Sequence, residues 1–237
     1  MEQAEYALMD EAEDHMWWYR ALHARLIAAL ADTSGRVLDA GCGTGGFLAA
    51  LARHRPDLSR FGLEWDQAAA SRARQKSATR VAGGSVNALP FADGSFDAAV
   101  SADVLCHAAV DPATALAELR RVLRPAGLLV VNMPAYQWML SAHDRRVHNV
   151  RRLSAPATAA LLRRAGFVRV EARYWNGLLL GLMITQRKIL ARGDAMSDVA
   201  PFPPWLDAML HGVTQFERRL RIPLPVGGSV LAIAEKP

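Results

Sequence analysis

The chain has 237 residues, a hydrophobic fraction of 51%, a charged fraction of 22% and a formal net charge of +5. That is enough chain for a single α/β domain with a sizeable core, and the balance excludes a disordered or low-complexity protein. Cys42 and Cys106 are the only cysteines, so neither a disulfide framework nor a metal site is expected, and a reducing cytoplasm fits.

In chain order, residues 1–34 read as a helical lid segment, with Trp17, Trp18, Leu22, Leu26 and Leu30 at helical spacing. Its acidic start (Glu2, Glu5, Asp10, Glu11, Glu13, Asp14) is the opposite of a secretory leader. From Val37 onward, short apolar runs alternate with helical patterns. Strands are expected over 37–40, 60–63, 79–82, 96–101, 128–133 and 168–174, and helices over 46–53, 67–77 and 113–123. Asp111-Pro112 and Ser154-Ala155-Pro156 are helix starts, and Ala165-Gly166 is a helix stop. The alternation implies a doubly wound, mainly parallel sheet. Residues 176–226 are too many for a hairpin and too apolar for a loose loop, so they read as a helical cover inserted before a last strand at 229–234. The longest apolar run, 177–185, is too short to span a bilayer. It leaves peripheral contact with a membrane open. The oligomeric state is not legible.

The chemistry concentrates in Leu38-Asp39-Ala40-Gly41-Cys42-Gly43-Thr44-Gly45-Gly46, followed by Phe61-Gly62-Leu63-Glu64. Glycines let backbone pass close under a ligand. A carboxylate at the next strand tip suits a ribose, because it accepts from two vicinal hydroxyls. The spacing Gly41-x-Gly43-x-x-Gly46 also fits a dinucleotide fingerprint, which would make the chain an NAD-dependent oxidoreductase. Asp39 argues against that, because it would repel a pyrophosphate. S-adenosylmethionine carries a sulfonium and an ammonium and no phosphate, and a strand-end carboxylate favours both cations.

The turn resembles motif I of class I S-adenosylmethionine-dependent methyltransferases. Further stretches resemble the bacterial small-molecule subgroup of that family: Ala88-Leu89-Pro90-Phe91-x-Asp93-x-Ser95-Phe96-Asp97, Asp103-Val104-Leu105-Cys106-His107, Leu119-Arg120-Arg121-Val122-Leu123-Arg124-Pro125-x-Gly127 and Ala165-Gly166-Phe167. Asp14-His15-x-Trp17-Trp18-Tyr19-Arg20 and the segment from Ser141 through Arg152 resemble a bacterial branch of these enzymes. The resemblance implies a Rossmann-like sheet of seven strands, the last returning antiparallel beside the fifth. It implies that Gly41, Cys42 and Gly43 pass under the methionine and ribose portions, that Glu64 chelates the ribose and that Trp65 stacks on adenine. The family usually has Gly-Asp-Ala where this chain has Gly84-Ser85-Val86, so adenine contacts fall to the Ser85 hydroxyl or the backbone at Val86. Asp103 and His107 follow the fourth strand, where family members face the reactive methyl group.

Trp18 is a candidate lid over the cofactor, and Arg20 a candidate partner for its carboxylate. His107 is a candidate general base. His143, Asp144 and His148 form a second cluster, in which a helical i,i+4 spacing would let Asp144 orient His148. The expected activity is methyl transfer to a small apolar or aromatic acceptor, with a hydroxyl favoured over a thiol. An RNA methyltransferase and a catalytically silent cofactor-binding protein remain as alternatives. Nucleic acid is disfavoured, because the basic residues are nearly all arginine and their pairs sit in helix-like segments, where solvated faces are the default.

Overall fold

The computed structural model describes residues 3–185, 202–220 and 222–237; the stretch 186–201 of the expected cover lies outside the described residues. Two helices lead in, α1 (Gln3–Ala12) and α2 (Trp17–Ala29). The alternating part follows as β1 (Arg36–Ala40), α3 (Gly46–His54), β2 (Ser59–Glu64), α4 (Gln67–Ser77), β3 (Arg80–Gly83), β4 (Phe96–Ala102), α5 (Pro112–Val122) and β5 (Leu123–Pro134). Then come a 3-10 turn at Gln137–Met139, α6 (Ala142–Arg146), α7 (Ala155–Arg164), β6 (Val168–Trp175), α8 (Leu180–Thr185), α9 (Pro204–Leu220) and β7 (Ser229–Glu235).

The seven strands form one sheet in the order β3-β2-β1-β4-β5-β7-β6. The first five pair in parallel, and β7 returns antiparallel between β5 and β6. Chain order reverses between β1 and β4, which opens a crevice at the carboxyl ends of those strands. Both faces of β1 are buried. Leu38 packs with Phe96, Leu116, Leu119 and Leu162 in one cluster, and Val37 packs with Leu22, Leu26, Phe47 and Leu51 in another. Alternation along the strand therefore splits the core into two layers.

Local signals set the ends of the helices. Asp111 caps α5 by accepting from the Thr114 amide at 2.9 Å, with Pro112 in the first turn. Ser154 accepts from the Ala157 amide to start α7, and Gly166 lies beyond its end at φ +85°. The expected helix over 113–123 stops one residue early. Leu123 is fully buried, pairs with Phe96 and opens β5, so that strand begins five residues before the expected 128.

The glycine turn joins β1 to α3 and lies against α4. Gly45 has φ +94°, and a Cβ there would meet the Ala73 Cα at 2.7 Å. Left-handed backbone strain and a backbone clash act together at this position. Gly45→Ala is expected to lower stability by about 2 kcal/mol or more, read from urea unfolding; a change within experimental error would contradict the close packing of α3 on α4.

Candidate active site

The crevice is a cavity of about 590 Å³, a size that accommodates a nucleoside cofactor and a small acceptor. Its floor is the glycine turn and the tips of β1, β2 and β4. The turn is held by the Leu63 carbonyl, which accepts from the amides of Gly41 and Cys42, both at 2.9 Å. Gly41 and Gly43 have φ of +94° and +54°. A Cβ on Gly41 would collide with Val104, and one on Gly43 would meet the Met9 Cε at 2.7 Å. The backbone is thus bare on the side that lines the cavity.

Glu64 ends β2 and is buried. Its Oε2 accepts from the Gly43 amide at 2.9 Å, and its Oε1 accepts from the Asp66 amide and the Tyr6 hydroxyl, both at 3.0 Å. Asp39 is the penultimate residue of β1, with 3% exposure. Among the described residues, nothing donates a hydrogen bond to its carboxylate. Burial, then the nearby charges of Glu64 and Glu13, push its pKa up to about 8. An underneutralised acid beside bare backbone fits a cationic, phosphate-free nucleoside and disfavours a pyrophosphate. Trp65 follows Glu64 with its indole 76% exposed, on the cavity wall. Ser85 and Val86 line the same wall; the Ser85 Oγ accepts from the Asn87 amide, which leaves its proton for a ligand.

Asp103 sits at the end of β4 with φ +55°. Both of its oxygens accept from Asn132 Nδ2 at 3.0 Å, and Asn132 Oδ1 accepts from Trp175 Nε1 at 2.9 Å. Burial raises its pKa to about 6. Trp175 stacks with Trp18, at a centroid distance of 6.0 Å, and carries the Arg25 guanidinium 4.5 Å from its ring centre. Arg25 in turn pairs with buried Glu217 of α9. Tyr19 also lines the cavity, and burial, then Glu13, Asp103 and Glu5, push its pKa up, so its hydroxyl stays a donor among carboxylates.

His107 and His143 both line the cavity. Burial, with a contribution from His148, lowers the His107 pKa to about 4, so its ring is neutral at pH 7. His143 Nδ1 stands 3.9 Å from Glu5 Oε2. Two expectations need correction. Arg20 does not line the cavity; its guanidinium binds Asp207 of α9 at 2.6 Å. Asp144 does not sit in a helical pair with His148, because α6 ends at Arg146 and His148 follows at φ +58°, exposed and off the cavity wall. The Asp144 carboxylate is instead gripped by buried Arg152 at 2.8 and 2.9 Å and caps α6 through Ser141. Sequence reading assigned no role to Tyr6, Tyr19, Asn132 or Arg152. Asn132 and Arg25 did carry a signal, as polar residues inside apolar runs.

Residues 38–131 match a methyltransferase domain family model. A Mycobacterium tuberculosis protein described as a probable S-adenosylmethionine-dependent methyltransferase is 31% identical over 215 residues, covering 84% of this chain and 74% of that protein. A 24-methylenesterol C-methyltransferase of Oryza sativa subsp. japonica is 31% identical over 147 residues, covering 55% of this chain and 39% of that protein. The chain spans 29%, 39% and 61% of the lengths of three curated relatives. The crystal structure of a SAM-dependent methyltransferase from Thermotoga maritima shares the fold, with a TM-score of 0.65 at 21% identity over 99% of this chain and 95% of that one.

The raised pKa of Asp39 has a definite sign. The folded chain holds a proton that the unfolded chain releases above about pH 4, so stability from this group is present at low pH and lost as pH rises toward about 8. Asp39→Asn is therefore expected to stabilise the unliganded chain at mildly alkaline pH, yet to weaken S-adenosylmethionine binding about tenfold or more. Urea unfolding and calorimetric titration read the two effects; unchanged affinity would contradict the assignment.

Proposed function

Since the chain belongs to the S-adenosylmethionine-dependent methyltransferases, we propose that it transfers the cofactor's methyl group to a small apolar or aromatic acceptor. A hydroxyl is the favoured nucleophile and a thiol the next. The carrying observation is the mixed lining of the cavity. The acids Asp39, Glu64 and Asp103 line it together with the apolar side chains Met16, Trp17, Trp18, Met183 and Phe202. One matched relative is named for methyl transfer to a carbon of a sterol, which supports an apolar acceptor and not the choice of a hydroxyl.

The residues that would hold the cofactor are Asp39, Gly41, Cys42, Gly43, Glu64, Trp65, Ser85 and Val86. When bound, the cofactor supplies an electrophilic methyl group on a sulfonium. The chain's own residues do the rest. Asp39 and Asp103 favour positive charge at the β1 and β4 tips. Glu64 accepts from ribose hydroxyls, sharing or displacing the Tyr6 hydroxyl. The aromatic wall excludes water and aligns the acceptor, and alignment is the main requirement of an in-line displacement. A protonated nucleophile also needs a base. Neutral His107 is suited to take that proton at its ring nitrogen, and His143 is the second candidate on the wall.

A screen of candidate acceptors with mass detection of methylated product tests the activity. With a turned-over acceptor, His107→Gln is expected to lower kcat about a hundredfold and leave cofactor affinity unchanged. With S-adenosylmethionine saturating, the wild-type kcat should be flat between about pH 6 and pH 9 and fall only toward the low pKa of His107, about 4. Near-native rates in both the His107→Gln and His143→Gln variants would show that alignment alone carries the reaction.

A further inference from the structure

α9 packs one apolar flank, through Leu206, Leu210 and Val213, into a cluster with Ala12, Met16, Trp17 and Leu179, and leaves a second flank exposed. The residues it buries are Leu210, Thr214 and Glu217. Trp205, Met209, Phe216 and Leu220 are exposed by 70%, 51%, 59% and 39%. At about 100° per residue these four fall within roughly 60° of one another, about a third of a turn from the buried set. Ile222, just beyond the helix, is exposed as well. Singly exposed apolar residues are ordinary; a continuous stripe of large ones is a mark of an interface.

Charge decides the occupant. Both acids of α9 turn inward. Asp207 binds Arg20 and the Trp17 amide. Glu217 pairs with Arg25 and accepts from the amides of Asn176, Gly177 and Leu178. The formal charges α9 leaves to solvent are Arg218 and Arg219. At about 100° per residue Arg219 flanks the exposed stripe, and Arg218 lies on the opposite side of the helix. A second copy would bring the same cation, Arg219, to the same interface. An anionic lipid surface meets both the aromatic stripe and Arg219. The segment leading into α9 also lines the cavity through Phe202, so docking and acceptor binding share one structural element.

We propose that the Trp205–Met209–Phe216–Leu220 face of α9, flanked by Arg219, docks the protein on an anionic membrane surface. The proposal does not depend on the reaction catalysed. The test is co-sedimentation of the full chain, at physiological salt, with vesicles of phosphatidylglycerol and with vesicles of phosphatidylcholine alone. Binding is expected to the first and to be much weaker to the second. Phe216→Glu, and separately the milder Trp205→Ser, should each reduce binding about tenfold. Arg219→Glu should reduce the preference for phosphatidylglycerol, and Arg218→Glu, on the opposite side of the helix, should change it less. Thermal unfolding of each variant reports folding, and Trp205→Ser carries the test if Phe216→Glu unfolds. A wild-type chain left in solution with both vesicles overturns the proposal. So does binding that none of these substitutions changes, or a dimer that Phe216→Glu dissolves without any lipid binding.

Discussion

The constraint on which the rest of this structure turns is the concentration of buried carboxylates at the tips of adjacent strands. Asp39 lies one residue before the end of β1, Glu64 ends β2, Asp103 just follows β4, and Glu13, between α1 and α2, adds its charge beside Asp39. In a low-dielectric site such charges are costly unless paired. The chain answers some of them. Glu13 accepts from the Thr44 hydroxyl and from Lys76, both at 2.6 Å, and Glu64 is held by two backbone amides and the Tyr6 hydroxyl. Asp39 is left without a donor among the described residues, and its raised pKa records the imbalance. A cationic ligand completes this electrostatic arrangement, and a phosphate aggravates it.

The cover is tied to that floor through buried polar contacts. Glu217 of α9 holds Arg25 of α2, Arg25 lies over Trp175, Trp175 donates to Asn132, and Asn132 donates to both oxygens of Asp103. An outer helix thereby reaches the strand tip through side chains that are almost wholly buried. Such a chain resists loosening, because a buried polar group that loses its partner incurs its full desolvation cost. The same contacts turn both acids of α9 inward, which leaves its outer face aromatic and basic.

The floor was legible in the sequence because its features are local. A strand, a glycine turn and a helix follow one another within a dozen residues, and the helix caps at Asp111 and Ser154 lie within three residues of what they cap. The pairings of the cover were not legible, because they join distant residues. Arg20 was read as a cofactor ligand, yet it binds Asp207, 187 positions away. Arg25 and Glu217 are 192 apart. Asp144 failed for a different reason. Its helix is only five residues long, so the spacing that suggested a partner in His148 never became a helical face, and Arg152, eight residues on, took the carboxylate. Where a side chain's partner lies on another element, spacing alone does not identify it.

The direct measurement of the central claim is a calorimetric titration of the chain with S-adenosylmethionine and, in parallel, with NAD. If the buried acids select a cationic nucleoside without phosphate, S-adenosylmethionine binds in the micromolar range and NAD gives no saturable heat. Binding of NAD as tight as, or tighter than, that of S-adenosylmethionine would contradict the account.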